Sequence, residues 1–101
     1  MKKILLLCSN GMSTSLMVKK MLEAAEKKGI EVEIKAVGLE MFKENLDKYD
    51  VFLLGPQIKY RKAEFEKMAA EVGKKVEVIN TIDYGMMKGD KVLDFALGLI
   101  G

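Results

Sequence analysis

Two short, continuously apolar runs constrain the fold of this chain most strongly. Residues 4–7 (ILLL) and 51–54 (VFLL) contain no polar side chain, as expected for strands that are buried on both faces. Residues 31–36 and 76–78 instead alternate polar with apolar side chains, as strands at the edge of a sheet do. We therefore predict a parallel sheet with two central strands and two edge strands, covered by helices on both faces.

Amphipathic segments with helical spacing separate these strands. The predicted helices cover residues 16–28, before Gly29; residues 39–49; residues 65–72, before Gly73; and residues 92–100, with Asp90 as candidate N-cap. The first of them is expected to begin at Leu16. Strand and helix alternate through the chain, which predicts right-handed crossovers and the strand order 2-1-3-4.

This strand order also predicts where a ligand would bind. The topological switch falls between the first and third strands, and such sheets bind ligands at the carboxyl ends of the strands that flank the switch. The first strand ends at Cys8, and the third is followed by Gly55, Pro56 and Gln57. We therefore expect the chemistry of this chain to take place beside Cys8.

Composition excludes several classes of protein. The 101 residues, half of them hydrophobic, fit a single domain over residues 1–101. The 17 basic and 15 acidic residues leave a net charge of +2, too small for a nucleic-acid-binding surface. No apolar run approaches the ~20 residues of a membrane span, and no cleavable secretion signal is recognised, so a cytoplasmic protein without membrane insertion is expected.

The cysteine and histidine counts limit the chemistry further. One cysteine and no histidine leave no internal disulfide, no structural zinc site and no cysteine–histidine pair. A dithiol reductase is excluded, because no second thiol is present to resolve a mixed disulfide. We expect neither a metal nor a cofactor, and any nucleophile must be activated by backbone dipoles, lysines or a partner protein.

The segment after Cys8 has the composition of a phosphate-binding loop. It runs Ser9, Asn10, Gly11, Met12, Ser13, Thr14 and Ser15. A glycine at positive φ can turn backbone amides toward an anion, and the following helix start adds free N–H groups and a positive dipole. The same field favours the thiolate of Cys8. Alone, a cysteine is more often an inert core residue and hydroxyls are more often caps, but their combination at the switch point favours an anion site.

These loop residues, in this order, resemble the phosphocysteine loop of IIB components of the lactose, cellobiose and chitobiose phosphotransferase system (PTS). Residues 55–60 (GPQIKY) and 84–86 (YGM) are similar to that family's segments after the third strand and before the last helix. The resemblance spans nearly the whole chain. It implies one type-3 EIIB domain with an open, flavodoxin-like or phosphatase-like α/β fold.

The resemblance also implies a function. A sugar phosphotransferase of this kind takes a phosphoryl group from the histidine of a IIA protein onto its cysteine, here Cys8, and passes it to a sugar held by a membrane IIC transporter. The protein would reach the inner face of the membrane only through that transporter. The implied sugar is a β-linked disaccharide such as cellobiose, chitobiose or lactose, although the IIB sequence does not determine which.

Further site residues follow from the same resemblance. Residues 9–15 would line the phosphate, and the candidates for the rim or for partner contact are Gln57, Tyr60, Tyr84 and Met86. For Tyr60 and Met86, packing in the core is the commoner role. The basic residues Lys59, Arg61 and Lys62 depart from the family pattern, and we interpret them as a solvated helix face in preference to a docking patch.

Two other functions are alternatives to a phosphocysteine carrier: a cysteine phosphatase and a flavin-binding electron carrier. A small cysteine phosphatase needs an arginine six residues after its cysteine, where this chain has Thr14, and an acid for the leaving group, for which Asp83 in a predicted loop is the one candidate. A flavin-binding electron carrier usually stacks its ring on aromatic side chains, but this chain has no tryptophan and no evident pair of tyrosines.

Overall fold

Four parallel strands form the sheet of the computed structural model, which describes residues 1–8 and 12–100 apart from the side chains of Met12 and Ser13. The strands are β1 (Lys2–Cys8), β2 (Val32–Gly38), β3 (Val51–Leu54) and β4 (Lys75–Val78). Their order is β2-β1-β3-β4, and each neighbouring pair is parallel. Both the predicted order and the predicted α/β class are confirmed.

Helices connect the strands on both faces of the sheet. They are α1 (Met12–Lys28), α2 (Phe42–Asn45), α3 (Lys62–Ala70), α4 (Thr81–Gly85) and α5 (Gly89–Ile100), with 3-10 turns at Leu39–Met41 and Pro56–Arg61. Within the described ranges, no helix is both long enough and apolar enough to cross a membrane.

The hydrophobic core lies in two layers because successive side chains of a strand face opposite sides of the sheet. On one side Ile4 and Leu6 of β1 pack in a cluster with residues of α1 and α5: Met17, Met21, Val92 and Leu93. On the other side Leu5 and Leu7 pack in a cluster with Phe42, Phe52, Phe65 and Ala69. Every residue from Ile4 to Leu7 is fully buried, as the apolar run predicted.

The helix bounds differ from prediction in informative ways. Helix α1 begins at Met12, four residues before the predicted start at Leu16. Serine and threonine are tolerated there because the N–H groups of a first helical turn have no intrahelical acceptor, so local side-chain bonds do not compete with the helix. The predicted end is confirmed, since Gly29 follows α1 with φ of +68°.

The later helices were predicted less well. Residues 39–49 contain a 3-10 turn and the four-residue α2 in place of one continuous helix. Helix α4 was not predicted, and it includes Asp83, which was expected in a loop. Helix α5 begins at Gly89, so Asp90 lies in its first turn and is not its N-cap. Val72, expected on the buried stripe of the third helix, lies after α3 and is exposed.

Candidate functional site

Cys8 is the last residue of β1, at the carboxyl edge of the sheet. It pairs with Gly38, the last residue of β2, while the preceding Leu7 pairs with Leu54, the last residue of β3. The cysteine therefore lies where the chain leaves the two central strands, at the predicted switch point. It is the one cysteine of the chain, so it forms no internal disulfide, and 1% of its surface is exposed.

Thr14 contacts the sulfur directly. Its Oγ1 lies 3.1 Å from Cys8 Sγ, and its side chain is fully buried. Because Thr14 is in the first turn of α1, this contact brings the sulfur beside the positive end of the helix dipole. A hydroxyl donor and a helix N-terminus both favour negative charge on sulfur, which is the reactive form of a cysteine.

Part of the predicted phosphate loop lies outside the described residues. This applies to Ser9, Asn10 and Gly11, and to the side chains of Met12 and Ser13. The backbone of Met12 and Ser13 forms the start of α1, and Ser15 in the same turn is exposed. The assignment of these residues to phosphate binding therefore stays a prediction, to which the structure adds the position of Thr14.

The segment after β3 forms the other side of the site. The Gly55 N–H donates to the Leu7 carbonyl at 3.0 Å, which ties this segment to β1. A Cβ atom on Gly55 would lie 2.6 Å from Gln57 Oε1, so the Gln57 side chain folds back over the glycine. Gln57 Nε2 also donates to the Tyr84 hydroxyl at 3.5 Å. The structure therefore brings two of the four predicted rim residues together, on segments that follow β3 and β4.

Exposed apolar side chains occur in the segments that follow three of the strands. Tyr60 is 75% exposed and Met86 is 65% exposed, so the expectation that these two pack in the core is wrong. Ile82 of α4 and Leu16 of α1 are also exposed, and the sequence analysis did not select them. For Leu16 the available signal was its position outside the core stripe of the predicted first helix, whereas Ile82 gave no such signal because α4 was not predicted. Met87, by contrast, is partly buried and packs against the core.

The basic residues after β3 are largely engaged within the chain. Arg61 forms an ion pair with Glu64, and its guanidinium lies 5.1 Å from the centre of the Phe65 ring. Lys62 Nζ lies 3.1 Å from Glu77 and 3.6 Å from Glu66. Hydrogen bonds to these carboxylates raise the pKa of both basic groups. Two of the three basic side chains thus have local partners, which agrees with a solvated helix face.

Comparison with known proteins identifies the family. The chain matches the family model described as PTS system, Lactose/Cellobiose specific IIB subunit, over residues 3–95. It is also 50% identical to the PTS system oligo-beta-mannoside-specific EIIB component of Bacillus subtilis (strain 168), in an alignment that covers 99% of this chain and 97% of that protein.

Solved structures agree with this match. The cellobiose-specific phosphotransferase IIB component from Borrelia burgdorferi has a TM-score of 0.82 and 40% identity, over 98% of this chain and 91% of that one. The lactose-specific IIB component domain from Streptococcus pneumoniae, at 19% identity, shares the fold with a TM-score of 0.87 over 99% of this chain and 98% of that one. The chain therefore belongs to the lactose/cellobiose-specific IIB family and is a phosphotransferase component of the PTS.

Proposed function

We propose that this protein, as a single IIB domain over residues 1–101, carries a phosphoryl group on Cys8. The group comes from the phosphohistidine of a IIA protein and goes to a sugar bound by a membrane IIC transporter. The position of Cys8 carries this proposal: its sulfur ends a central strand at the switch point and lies 3.1 Å from a hydroxyl in the first turn of α1.

The proposed chemistry consists of two phosphoryl transfers. In the first, the P–N bond of the donor breaks, the histidine nitrogen keeps the electron pair, and the Cys8 thiolate forms a P–S bond. In the second, the P–S bond breaks and its electron pair stays on the Cys8 thiolate, a sugar hydroxyl oxygen forms a P–O bond, and the hydroxyl proton leaves to water or to a base on the transporter. Because Cys8 is 1% exposed, its sulfur must become more accessible before it reacts.

The environment of the sulfur supports a carrier over the alternative, a small cysteine-dependent phosphatase. Such an enzyme clamps the phosphoryl oxygens with a loop arginine. The corresponding position holds Thr14, whose buried hydroxyl contacts the sulfur. The candidate acid Asp83 lies in α4 and borders a groove with Val78, Val92 and Phe95. A carrier gains from poor hydrolysis, because water would otherwise consume the group before its transfer.

The sugar is proposed to be a β-linked disaccharide or oligosaccharide. The names of these three similar proteins specify an oligo-β-mannoside, cellobiose and lactose. Since these IIB chains share a fold but differ in named sugar, we propose that the transporter selects the sugar.

The test is the intact mass of the protein after incubation with a phosphorylated IIA partner. We expect a gain of one phosphoryl group on the wild type and no gain on Cys8→Ser, because a serine hydroxyl without a base is scarcely ionised at neutral pH. The chain has one cysteine and no histidine, so a phosphohistidine on the chain itself cannot account for the gain. Phosphorylation of Cys8→Ser at the normal rate would refute the assignment.

A second measurement separates carrier from phosphatase. The phosphorylated protein should lose its group slowly in water and quickly when transporter and sugar are added, while the free protein barely hydrolyses an aryl phosphate. The reason is that in-line attack and cationic stabilisation must come from a partner. Robust aryl phosphate turnover that Cys8→Ser abolishes would establish the phosphatase instead.

A further inference from the structure

Thr14 is unusual in its burial. Apart from Cys8, Tyr49 and Tyr84, it is the one buried side chain with a polar group among the residues whose burial the structure describes, and none of its surface is exposed. Burying a hydroxyl is costly unless the group forms a hydrogen bond. Its hydroxyl oxygen lies within hydrogen-bonding distance of Cys8 Sγ, at 3.1 Å.

Packing alone does not account for a threonine here. Thr14 continues the buried stripe of α1 through Met17 and Met21, at spacings of three and four residues. Valine has nearly the same shape as threonine and would fill this place without a polar atom to satisfy. Packing of the stripe therefore does not require the hydroxyl, whose oxygen lies within bonding distance of the sulfur.

The polarity of this bond depends on the state of the sulfur. While Cys8 is a neutral thiol, either its Sγ or the Thr14 Oγ1 can be the donor. A thiolate has no proton, so the Thr14 hydroxyl must then donate to it, and hydrogen bonds to charged groups are among the strong ones. Once phosphorylated, the sulfur has lost its full negative charge and is a weak acceptor. The bond therefore stabilises the free thiolate more than the loaded cysteine.

We propose that Thr14 is a positioning residue whose hydroxyl holds and stabilises the Cys8 thiolate, both as nucleophile and as leaving group. This role differs from phosphate binding, which the sequence pattern assigned to all of residues 9–15. The proposed effect on the thiolate as leaving group rests on the proposed carrier function. The proposed effect on the thiolate as nucleophile can be tested on the free protein alone.

The first experiment measures the rate of Cys8 alkylation by iodoacetamide as a function of pH, with no partner present. In Thr14→Val the pH of half-maximal rate should rise by about one to two units, because the thiolate loses a charge-assisted bond. Thr14→Ser keeps the hydroxyl and should stay close to the wild type. Thr81→Val removes an exposed hydroxyl at the start of α4 and is the control for the substitution itself.

The second experiment measures onward transfer. Wild type and Thr14→Val are each loaded with phosphate, and its loss is followed after addition of transporter and sugar. We expect Thr14→Val to transfer roughly tenfold more slowly, because its departing thiolate is less stabilised, and Thr14→Ser to recover most of the rate.

The outcomes separate this proposal from the proposed function. An unchanged alkylation profile in folded Thr14→Val, or a shift that Thr14→Ser shows equally, overturns the role of the hydroxyl. If Thr14→Val does not fold, Thr14→Ala tests the same loss with a smaller side chain. If Cys8→Ser still accepts phosphate, the carrier assignment fails, whereas a shifted alkylation profile would still support the bond between Thr14 and Cys8.

Discussion

Asn80 shows how one side chain positions part of the site. Its Oδ1 accepts hydrogen bonds from the N–H groups of Ile82 at 2.9 Å and Asp83 at 3.0 Å, so it caps α4. This five-residue helix carries Tyr84, which bonds Gln57, and is followed by Met86. The cap therefore fixes the segment that brings two predicted rim residues to the carboxyl edge of the sheet.

We predict that Asn80→Ala lowers the free energy of unfolding by about 1 kcal/mol, because two helical N–H groups lose their acceptor. Asn80→Asp is the matched control, since it keeps the acceptor oxygen and places a negative charge at a helix N-terminus, where charge of that sign is favourable. Chemical denaturation of the three proteins measures the difference. Equal losses of unfolding free energy in Asn80→Ala and Asn80→Asp would mean that the cap hydrogen bonds contribute little to stability.

Some residue roles could be predicted from the sequence and others could not. The continuous run of residues 4–7 predicted that Cys8 ends a buried strand. The burial of Thr14 was not predictable, because its sequence neighbours also carry hydroxyls and the helix was expected to begin only at Leu16. The phase of α1 turns Thr14 inward, whereas Ser15 is exposed. Tyr60 was misjudged because Ile58, inside the 3-10 turn, has non-helical φ and ψ of −119° and 23°. That kink changes which side chains face the core.

At the scale of elements, the contact of α1 with α5 depends on a glycine. Gly89 is the first residue of α5 and is buried. A Cβ atom placed there would lie 2.4 Å from the carbonyl carbon of Lys20 and 2.6 Å from its oxygen. These are backbone atoms of α1, which cannot move aside without shifting the helix. The absence of a side chain therefore allows the two helices to approach.

We predict that Gly89→Ala lowers the free energy of unfolding by about 1 to 3 kcal/mol, the usual cost of overpacking. Gly98→Ala is the control in the same helix, because a Cβ atom there has no neighbour within 4 Å. It should cause no loss and raise helix propensity by up to about 1 kcal/mol. Thermal or urea unfolding compares the two, and equal effects would contradict the close approach.

Element order was predictable for a physical reason. Continuous apolar runs mark β1 and β3 as central, and that leaves the alternating segments β2 and β4 for the edges. Element length was harder to predict. Leu46 and Tyr49 were assigned to a helix because they are apolar at helical spacing, but both pack on the core from beyond the end of α2. A turn can bury the same residues as a helix when the sheet face is near.

At the scale of the whole molecule, a buried tyrosine links global stability to pH. Tyr49 lies in the core before β3, at the edge of the sheet opposite to Cys8. Burial raises its pKa above the usual 10.0, and the charge and hydrogen bond of Glu33 raise it further. The unfolded chain therefore loses the phenol proton first as pH rises. The contribution of Tyr49 to the free energy of unfolding is fully present below about pH 10 and is lost as the pH rises further.

We predict that Tyr49→Phe flattens the loss of stability above about pH 10, because the substituted chain has no proton to lose at this position. The matched control is Tyr60→Phe, which removes the same phenol group from an exposed position outside the core. Urea unfolding at a series of alkaline pH values gives both slopes. If Tyr49→Phe keeps the full wild-type slope, Tyr49 does not contribute to it.

The two edges of the sheet also differ in what they offer a partner. Segments after β1, β3 and β4 expose apolar side chains beside the carboxyl edge: Leu16, Tyr60, Ile82 and Met86. Exposed apolar residues grouped around a site are a common feature of protein-binding surfaces. Val72 is 44% exposed as well, but it precedes β4 and so lies toward the amino edge, away from Cys8.

We predict that Met86→Glu raises the KM for a phosphorylated IIA partner about tenfold. Met86 is 65% exposed in the free protein, and a partner that covers this position would have to desolvate the new charge. Val72→Glu adds the same charge at the far edge and should leave KM unchanged. Both substitutions are at exposed positions, so thermal unfolding should stay near the wild type, which separates a docking effect from misfolding. The rate of phosphate uptake at several donor concentrations measures KM. Equal effects of the two variants would indicate a response to net charge, and no effect of Met86→Glu would place the donor's contact elsewhere on the molecule.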